Sequence, residues 1–305
     1  MKTYYSNGKL LITGEYGVLD GALSFALPTK FGQNLKVTET NNSLLKWTSF
    51  DHLNKEWLSI TLDLNKLSKG TRSIIETSDT EKAITLLDIL NTAKKANPAF
   101  LTKGADVITQ LSFPNNWGLG TSSTLINNIA SWAQIDAFEL LWNSFKGSGY
   151  DIACAQNNTP ITYQITQNKP AVNPISFSPN FTDDLFFIHL NKKQNSKEGI
   201  AHYRKLGNKK KTLVKELSSI TEEIIKASSL EAFESLVNTH EDILSKHLEQ
   251  PKVKDLYFSD YNGSVKSLGA WGGDFILATG NKKSMGYFEQ KGYTTILSYN
   301  EMILV

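Results

Sequence analysis

The 305-residue sequence contains a single cysteine, Cys154. One cysteine excludes an intrachain disulfide and any zinc site built on cysteines, which is typical of proteins from a reducing compartment. No apolar run approaches about 18 residues, and the N-terminus lacks the apolar core and the cleavage pattern of a secretory signal. From these features we expect a cytoplasmic protein that does not enter membranes.

The chain also lacks a surplus of either charge. Its formal net charge is +2, from 32 Lys and Arg against 30 Asp and Glu, and neither half departs from this balance. Proteins that bind nucleic acids or membrane surfaces usually carry a basic surplus. We therefore expect a small-molecule ligand and no nucleic-acid partner, with the monomer and the homodimer both left open.

Hydrophobic periodicity predicts a mixed α+β protein of two domains. The stretch 165–184 is rich in proline, asparagine and serine and predicts a boundary between a domain at 1–165 and a domain at 166–305. The last fifth of the chain predicts strand, turn, strand, helix and strand. Strands are predicted at 2–12, 32–39, 44–50, 56–63, 104–113 and 185–190, and helices at 80–96 with Thr80 as cap, 122–133, 136–145, 212–227, 230–249 and 252–260.

A glycine turn between a strand and a helix is the most informative local pattern. Gly118-Leu119-Gly120 is followed by four hydroxyl residues, 121–124, that open an apolar helix. Glycines let the backbone approach a ligand, and a helix start offers N–H groups to an anion. The pattern is neither a Rossmann fingerprint nor a Walker A loop, because it has no third glycine and no Gly-Lys-Ser/Thr. A capped helix after an ordinary turn is the alternative explanation.

Two further segments combine glycines with charged residues. SNGKLLITGEYGVLDGA, at 6–22, carries Lys9, Glu15 and Asp20, for which a solvated loop is the ordinary explanation. GSGYDIACAQ, at 147–156, places Asp151 in the first turn of a short helix, where an N-terminal cap is the local explanation.

In order and spacing, these segments resemble the motifs of the GHMP kinases, the superfamily of galactokinase, homoserine kinase, mevalonate kinase and phosphomevalonate kinase. The first segment resembles the motif Pro-Gly-Lys with a later Gly-Glu-His/Tyr. PNNWGLGTSST resembles the second motif, KSLGAWGGDF at 266–275 resembles the third, and GYDIA indicates the GYDIA family GHMP kinases. The resemblance covers nearly the whole chain. It implies an N-terminal ribosomal-protein-S5-like domain, a C-terminal ferredoxin-like domain and a cleft between them.

The resemblance also implies roles for individual residues, with ATP and Mg²⁺ as cofactors. Asp151 matches the catalytic aspartate, and Lys9 matches the lysine that pairs with it. Ser122 matches the hydroxyl ligand of Mg²⁺, while Glu139 lies about one position from the metal carboxylate of mevalonate kinase. The residues implied to bind ATP are Gly118, Leu119, Gly120, Thr121, Ser122 and Ser123 in the phosphate loop and Gly269, Ala270, Gly272 and Gly273 in the C-terminal glycine loop.

Trp271 departs from the family pattern, because it stands where a glycine is usual. Its side chain is expected to narrow a pocket or to change the path of the loop. The ending Gly-Gly-Asp resembles phosphomevalonate kinase, so phosphomevalonate is the first expected acceptor and mevalonate the second. An anionic acceptor would need polar or basic side chains to bind it. The candidates for this role are Lys192, Lys193, Ser196 and Lys197. The alternatives are a catalytically impaired binding or regulatory protein of the same fold, and a kinase for another alcohol such as a sugar.

Overall fold

The computed structural model describes residues 1–192, 196–269, 271 and 273–304. The chain divides into two compact units. Unit 1 comprises 1–8, 31–115 and 119–156, and unit 2 comprises 9–30, 116–118 and the chain from Asn157 onward. The chain passes from one unit to the other within strands β1 (Lys2–Thr13) and β2 (Ser24–Glu39). The domain limits 1–165 and 166–305 stay a prediction.

Unit 1 is a twisted sheet covered by helices. The strand order is β5-β4-β3-β6-β2, in which β3 and β6 run parallel and the other neighbours are antiparallel. Alternate strand residues such as Leu45 and Trp47 are buried in one core with the apolar faces of the helices. The elements are β3 (Leu44–Phe50), β4 (Glu56–Asp63), β5 (Ile74–Thr77), α1 (Thr80–Ala96), β6 (Ala105–Leu111), α2 (Thr121–Ala133), α3 (Ala137–Ser144) and α4 (Tyr150–Gln156).

The helices of unit 1 begin close to their predicted positions. The cap of α1 is Asp79 rather than Thr80, because the Asp79 carboxylate accepts the N–H of Lys82 at 3.1 Å. Asp136 caps α3 by accepting the N–H groups of Phe138 and Glu139. Trp132 of α2 and Trp142 of α3 are partly buried and pack against the core.

Unit 2 contains an antiparallel sheet in the order β10-β11-β9-β12. Counted along the chain these strands are the second, third, first and fourth, and helices follow the first and third, which is the ferredoxin-like arrangement predicted for the C-terminal half. Helices α6 and α7 pack against each other, and α7 also contacts β10. The elements are β7 (Ile161–Thr166), β8 (Lys169–Pro174), β9 (Leu185–His189), α5 (Ser196–Arg204), α6 (Lys210–Ile225), α7 (Leu230–Leu248), α8 (Val253–Tyr257), β10 (Val265–Ser267), β11 (Phe275–Thr279), α9 (Gly286–Gln290), β12 (Ile296–Ser298) and α10 (Tyr299–Met302).

The stretch 165–184 contains a strand instead of only a linker. Strand β8 pairs with β7 around a two-residue turn, and both turn residues, Gln167 and Asn168, have positive φ. Pro170 and Pro174 are tolerated because β8 is an edge strand, where a missing N–H costs little. Within the described part of the chain, no helix has the length and hydrophobicity needed to cross a membrane.

Candidate active site

The start of helix α2 in unit 1 has the geometry of an anion site. Gly120 precedes the helix in a left-handed conformation, with φ 95°, and no side-chain hydrogen bond caps the helix. The hydroxyls of Ser123 and Thr124 turn back and donate to the carbonyl of Gly120 at 2.9 and 3.1 Å. The Ser122 side chain is exposed. The N–H groups of the first turn are therefore left to an acceptor from outside the helix.

Asp151 lies in the first turn of α4, which packs against α2. Its side chain is partly buried, and Gln156 at the other end of α4 donates to Asn127 of α2 at 3.0 Å. Glu139 is exposed on the first turn of α3. Among the described residues, no group of three or more His, Cys, Asp and Glu could hold a metal ion by itself.

Lys9 and Gly118 come together in unit 2. The ammonium of Lys9 donates to the carbonyl of Gly118 at 2.9 Å. Gly118 has φ 67°, and a Cβ placed on it would lie 2.9 Å from the Cβ of Asp274, so only glycine fits there. Asp274, which ends the Gly-Gly-Asp sequence of the third motif, is a further functional candidate because it lies against Gly118. Its N–H donates to the carbonyl of Lys192 at 2.8 Å.

The neighbouring residues of Gly118 are also fixed within unit 2. His189, 2% exposed, has its Nε2 3.2 Å from the carbonyl of Asn116, and its Nδ1 accepts the N–H of Asn191 at 3.3 Å. Because Nδ1 accepts, Nε2 carries the proton and donates to Asn116. Trp117 packs edge-on against Phe275 with ring centroids 5.4 Å apart.

In the third motif, Gly269 is left-handed with φ 70°, and nothing within 4 Å would meet a Cβ there. Gly273 is buried, while Ala270 and Gly272 lie outside the described residues. The Trp271 side chain is buried in a core with Tyr16 and Tyr203. Its indole N–H donates to the carbonyl of Pro251 at 3.0 Å. The tryptophan is therefore accommodated within the core of unit 2.

Four ionisable side chains form a buried cluster in unit 2: Glu15, Lys266, His240 and Glu241, each at most 1% exposed. Glu15 pairs with Lys266, which corrects the expectation of a solvated loop charge. Burial by itself raises the pKa of Glu15, but Lys266 and His240 outweigh it and hold that pKa below its ordinary value. The sequence signal was available, since Glu15 belongs to the first motif and Lys266 opens the third.

Comparison of whole structures identifies the architecture. No family model and no curated protein matches the sequence. Mevalonate kinase from Methanococcus jannaschii superposes with a TM-score of 0.70 at 16% identity, covering 100% of this chain and 98% of that one. The chain has the GHMP kinase fold.

Other structures with the GHMP kinase fold are similarly distant in sequence. Streptococcus pneumoniae phosphomevalonate kinase, solved with phosphomevalonate and AMPPNP, gives a TM-score of 0.70 at 13% identity over 98% of this chain and 100% of that one. Lactococcus lactis galactokinase, complexed with galactose, gives 0.68 at 15% identity over 99% and 93%. At identities this low, the superpositions establish the fold and do not identify the substrate.

The residues expected to meet an anionic acceptor are only partly described. Lys192 is exposed and its carbonyl is held by Asp274. Ser196 and Lys197 belong to α5, and Lys193 lies outside the described residues.

Proposed function

We propose that the chain is an ATP-dependent kinase of a mevalonate-pathway acid, with phosphomevalonate as the first choice of acceptor and mevalonate as the second. The observation that carries the proposal is the start of α2, where N–H groups without a side-chain cap follow the left-handed Gly120. Phosphoryl transfer depends mainly on positioning and on stabilising charge. A helix start of this kind supplies both to the phosphates of a nucleotide.

Lys9 and Asp151 are the proposed catalytic residues. The ammonium of Lys9 is oriented by its hydrogen bond to the carbonyl of Gly118. It would stabilise the charge that develops on the transferred group. Asp151, partly buried at the start of α4, would orient the acceptor or take its proton. The Gly-Gly-Asp ending of the third motif supports the order of the two acceptors, and Lys192 is the described residue proposed to meet the acceptor anion.

ATP and Mg²⁺ are the proposed cofactors. The phosphomevalonate kinase with this fold was solved with AMPPNP, which supports ATP use here. The exposed hydroxyl of Ser122 and the exposed carboxylate of Glu139 suit a Mg²⁺ ion, because this ion usually takes one or two protein ligands together with phosphate oxygens and water. When bound, the ion would neutralise phosphate charge. A cytoplasmic location belongs to the same proposal.

The test is an ADP-release assay on the purified protein with ATP and Mg²⁺. We expect turnover with phosphomevalonate, less with mevalonate and none with galactose. Nucleotide binding without turnover on any acceptor would favour the binding or regulatory alternative. Turnover with galactose alone would favour a sugar kinase, and the absence of nucleotide binding would refute the proposal.

Asp151→Asn separates the two acceptors. A phosphate acceptor is already anionic at pH 7, so Asp151 only positions it, and the loss of turnover is expected to stay below about 10²-fold. An alcohol must lose a proton, so with mevalonate the loss is expected to reach the ~10²–10⁴-fold typical of a general base. Asp106→Asn, at an exposed carboxylate in β6, is the matched control. Wild-type turnover of Asp151→Asn on every accepted substrate would remove Asp151 from the catalytic residues.

A further inference from the structure

The segment from Glu15 to Gly17 is strained. The N–H of Gly17 donates to the carbonyl of Glu15 at 2.6 Å, and Tyr16 between them has φ 58° and ψ −44°. This is a γ-turn with positive φ, a rare conformation that costs energy for a residue with a bulky side chain. Such strain persists only where surrounding contacts impose it. The contacts of Glu15 and Tyr16 must therefore impose this conformation.

Glu15 fixes the chain at the start of the third motif. Its carboxylate pairs with Lys266 at the centre of β10. Lys266 also lies 3.4 Å from Glu241 and donates to the carbonyl of Ser267 at 2.9 Å. Glu241 accepts the N–H of Ser267 at 3.1 Å, and His240 contacts Glu15 at 3.2 Å. The end of β10 is thus held both by the side chain of Lys266 and by the backbone N–H of Ser267.

Tyr16 fixes the chain within the third motif. Its hydroxyl accepts the backbone N–H of Trp271 at 3.0 Å. The Tyr16 ring stacks on Tyr203 of α5 with centroids 6.0 Å apart. It also lies so close to Gly199 of α5 that a Cβ there would be 2.8 Å from its carbon atoms.

Consecutive residues of the first motif therefore hold the two points that bracket Gly269, namely Lys266 and Trp271. We propose that Glu15 and Tyr16 are positioning residues that set the conformation of the chain around Gly269 for nucleotide binding. This inference rests on the proposed kinase function. The open space beside Gly269 is where backbone position would matter to a ligand, and a fixed backbone loses less entropy on binding.

The principal test compares Tyr16→Phe with Tyr261→Phe. Both remove one buried tyrosine hydroxyl from unit 2, since the Tyr261 hydroxyl donates to the carbonyl of Thr279 at 2.7 Å. For Tyr16→Phe we expect the Trp271 amide to exchange its hydrogen about fivefold faster and the KM for ATP to rise about fivefold, the effect of one hydrogen bond. Tyr261→Phe should lower the melting temperature to a similar extent and leave both quantities unchanged.

The second arm replaces the ion pair as a whole. Lys266→Met alone leaves Glu15 and Glu241 without their cation and is expected to unfold readily, whereas Glu15→Gln/Lys266→Met removes the cation together with Glu15, the closer of the two carboxylates. The double variant should fold and show a KM for ATP at least fivefold above wild type, with kcat changed less than KM. If the unmodified protein neither binds nor uses ATP, the kinase proposal fails. If the unmodified protein is active but Tyr16→Phe and the double variant have the same KM for ATP as Tyr261→Phe, the positioning proposal is overturned.

Discussion

Gly120 and Trp271, two residues of the glycine motifs, differ in whether the local sequence predicts their structural role. Gly120 needs its left-handed backbone, with φ 95°, and this need is visible in the sequence because a glycine before a run of hydroxyl residues predicts a helix start. Trp271 is visible only as an exception to the family pattern. Its burial depends on Tyr16, Tyr203 and Pro251, which are remote in the chain, so no local pattern predicts it.

Gly120→Ala tests the phosphate loop at the residue scale. Alanine at this position would have to adopt the left-handed conformation of Gly120, which costs an L-residue about 1–2 kcal/mol. We expect ATP affinity to fall at least tenfold by calorimetry, because the first N–H groups of α2 shift. Gly292→Ala is the control, since Gly292 has a similar φ of 89° with open space around it. Equal ATP affinity in the two variants would contradict the loop assignment.

At the scale of elements, helix and strand positions follow from periodicity where the pattern is local. The strands β3 and β4 and the helix α1 have their predicted limits, because alternating or helical apolar spacing is complete within each segment. Strand β8 was missed because its two prolines resemble a linker. Its pairing with β7 depends on a neighbour and an edge position, neither of which composition reveals.

Helix α5 packs against Tyr16 at Gly199. This close contact is expected to reverse the usual effect of a Gly→Ala change in a helix. In an open helix position alanine stabilises by up to about 1 kcal/mol. At Gly199 the added Cβ would lie 2.8 Å from the Tyr16 ring, and such overpacking costs about 1–3 kcal/mol. We expect Gly199→Ala to lower the free energy of unfolding in urea. Gly286→Ala at the start of α9, where nothing lies within 4 Å, should not destabilise, and equal effects would contradict this packing.

Across the whole molecule, the order of three motifs and the strand-helix pattern of the C-terminal half were sufficient to predict the fold. What the sequence left undetermined is the buried charge of unit 2. Whether a glutamate is solvated or buried depends on a partner 251 positions away, Lys266, and on two residues of α7. Such long-range pairing has no periodicity to signal it.

The buried Glu15 predicts how stability depends on pH. Its pKa in the folded protein lies below the ordinary value of 4.5, so its ionised form stabilises the fold above that pH and the contribution is lost as the pH falls through the folded pKa. Glu15→Gln should cost about 3 kcal/mol in urea unfolding at pH 7. The difference from wild type should shrink below pH ~4. A difference that stays constant with pH would contradict the ion pair.

The seating of Trp271 makes several distant positions depend on one another. Tyr16 reaches the amide of Trp271 beside Gly199, which carries no side chain in its way. A glycine at 271 would leave a void in this core and remove the hydrogen bond to the carbonyl of Pro251. The residues at 16, 199 and 271 are therefore expected to tolerate replacement only in combination.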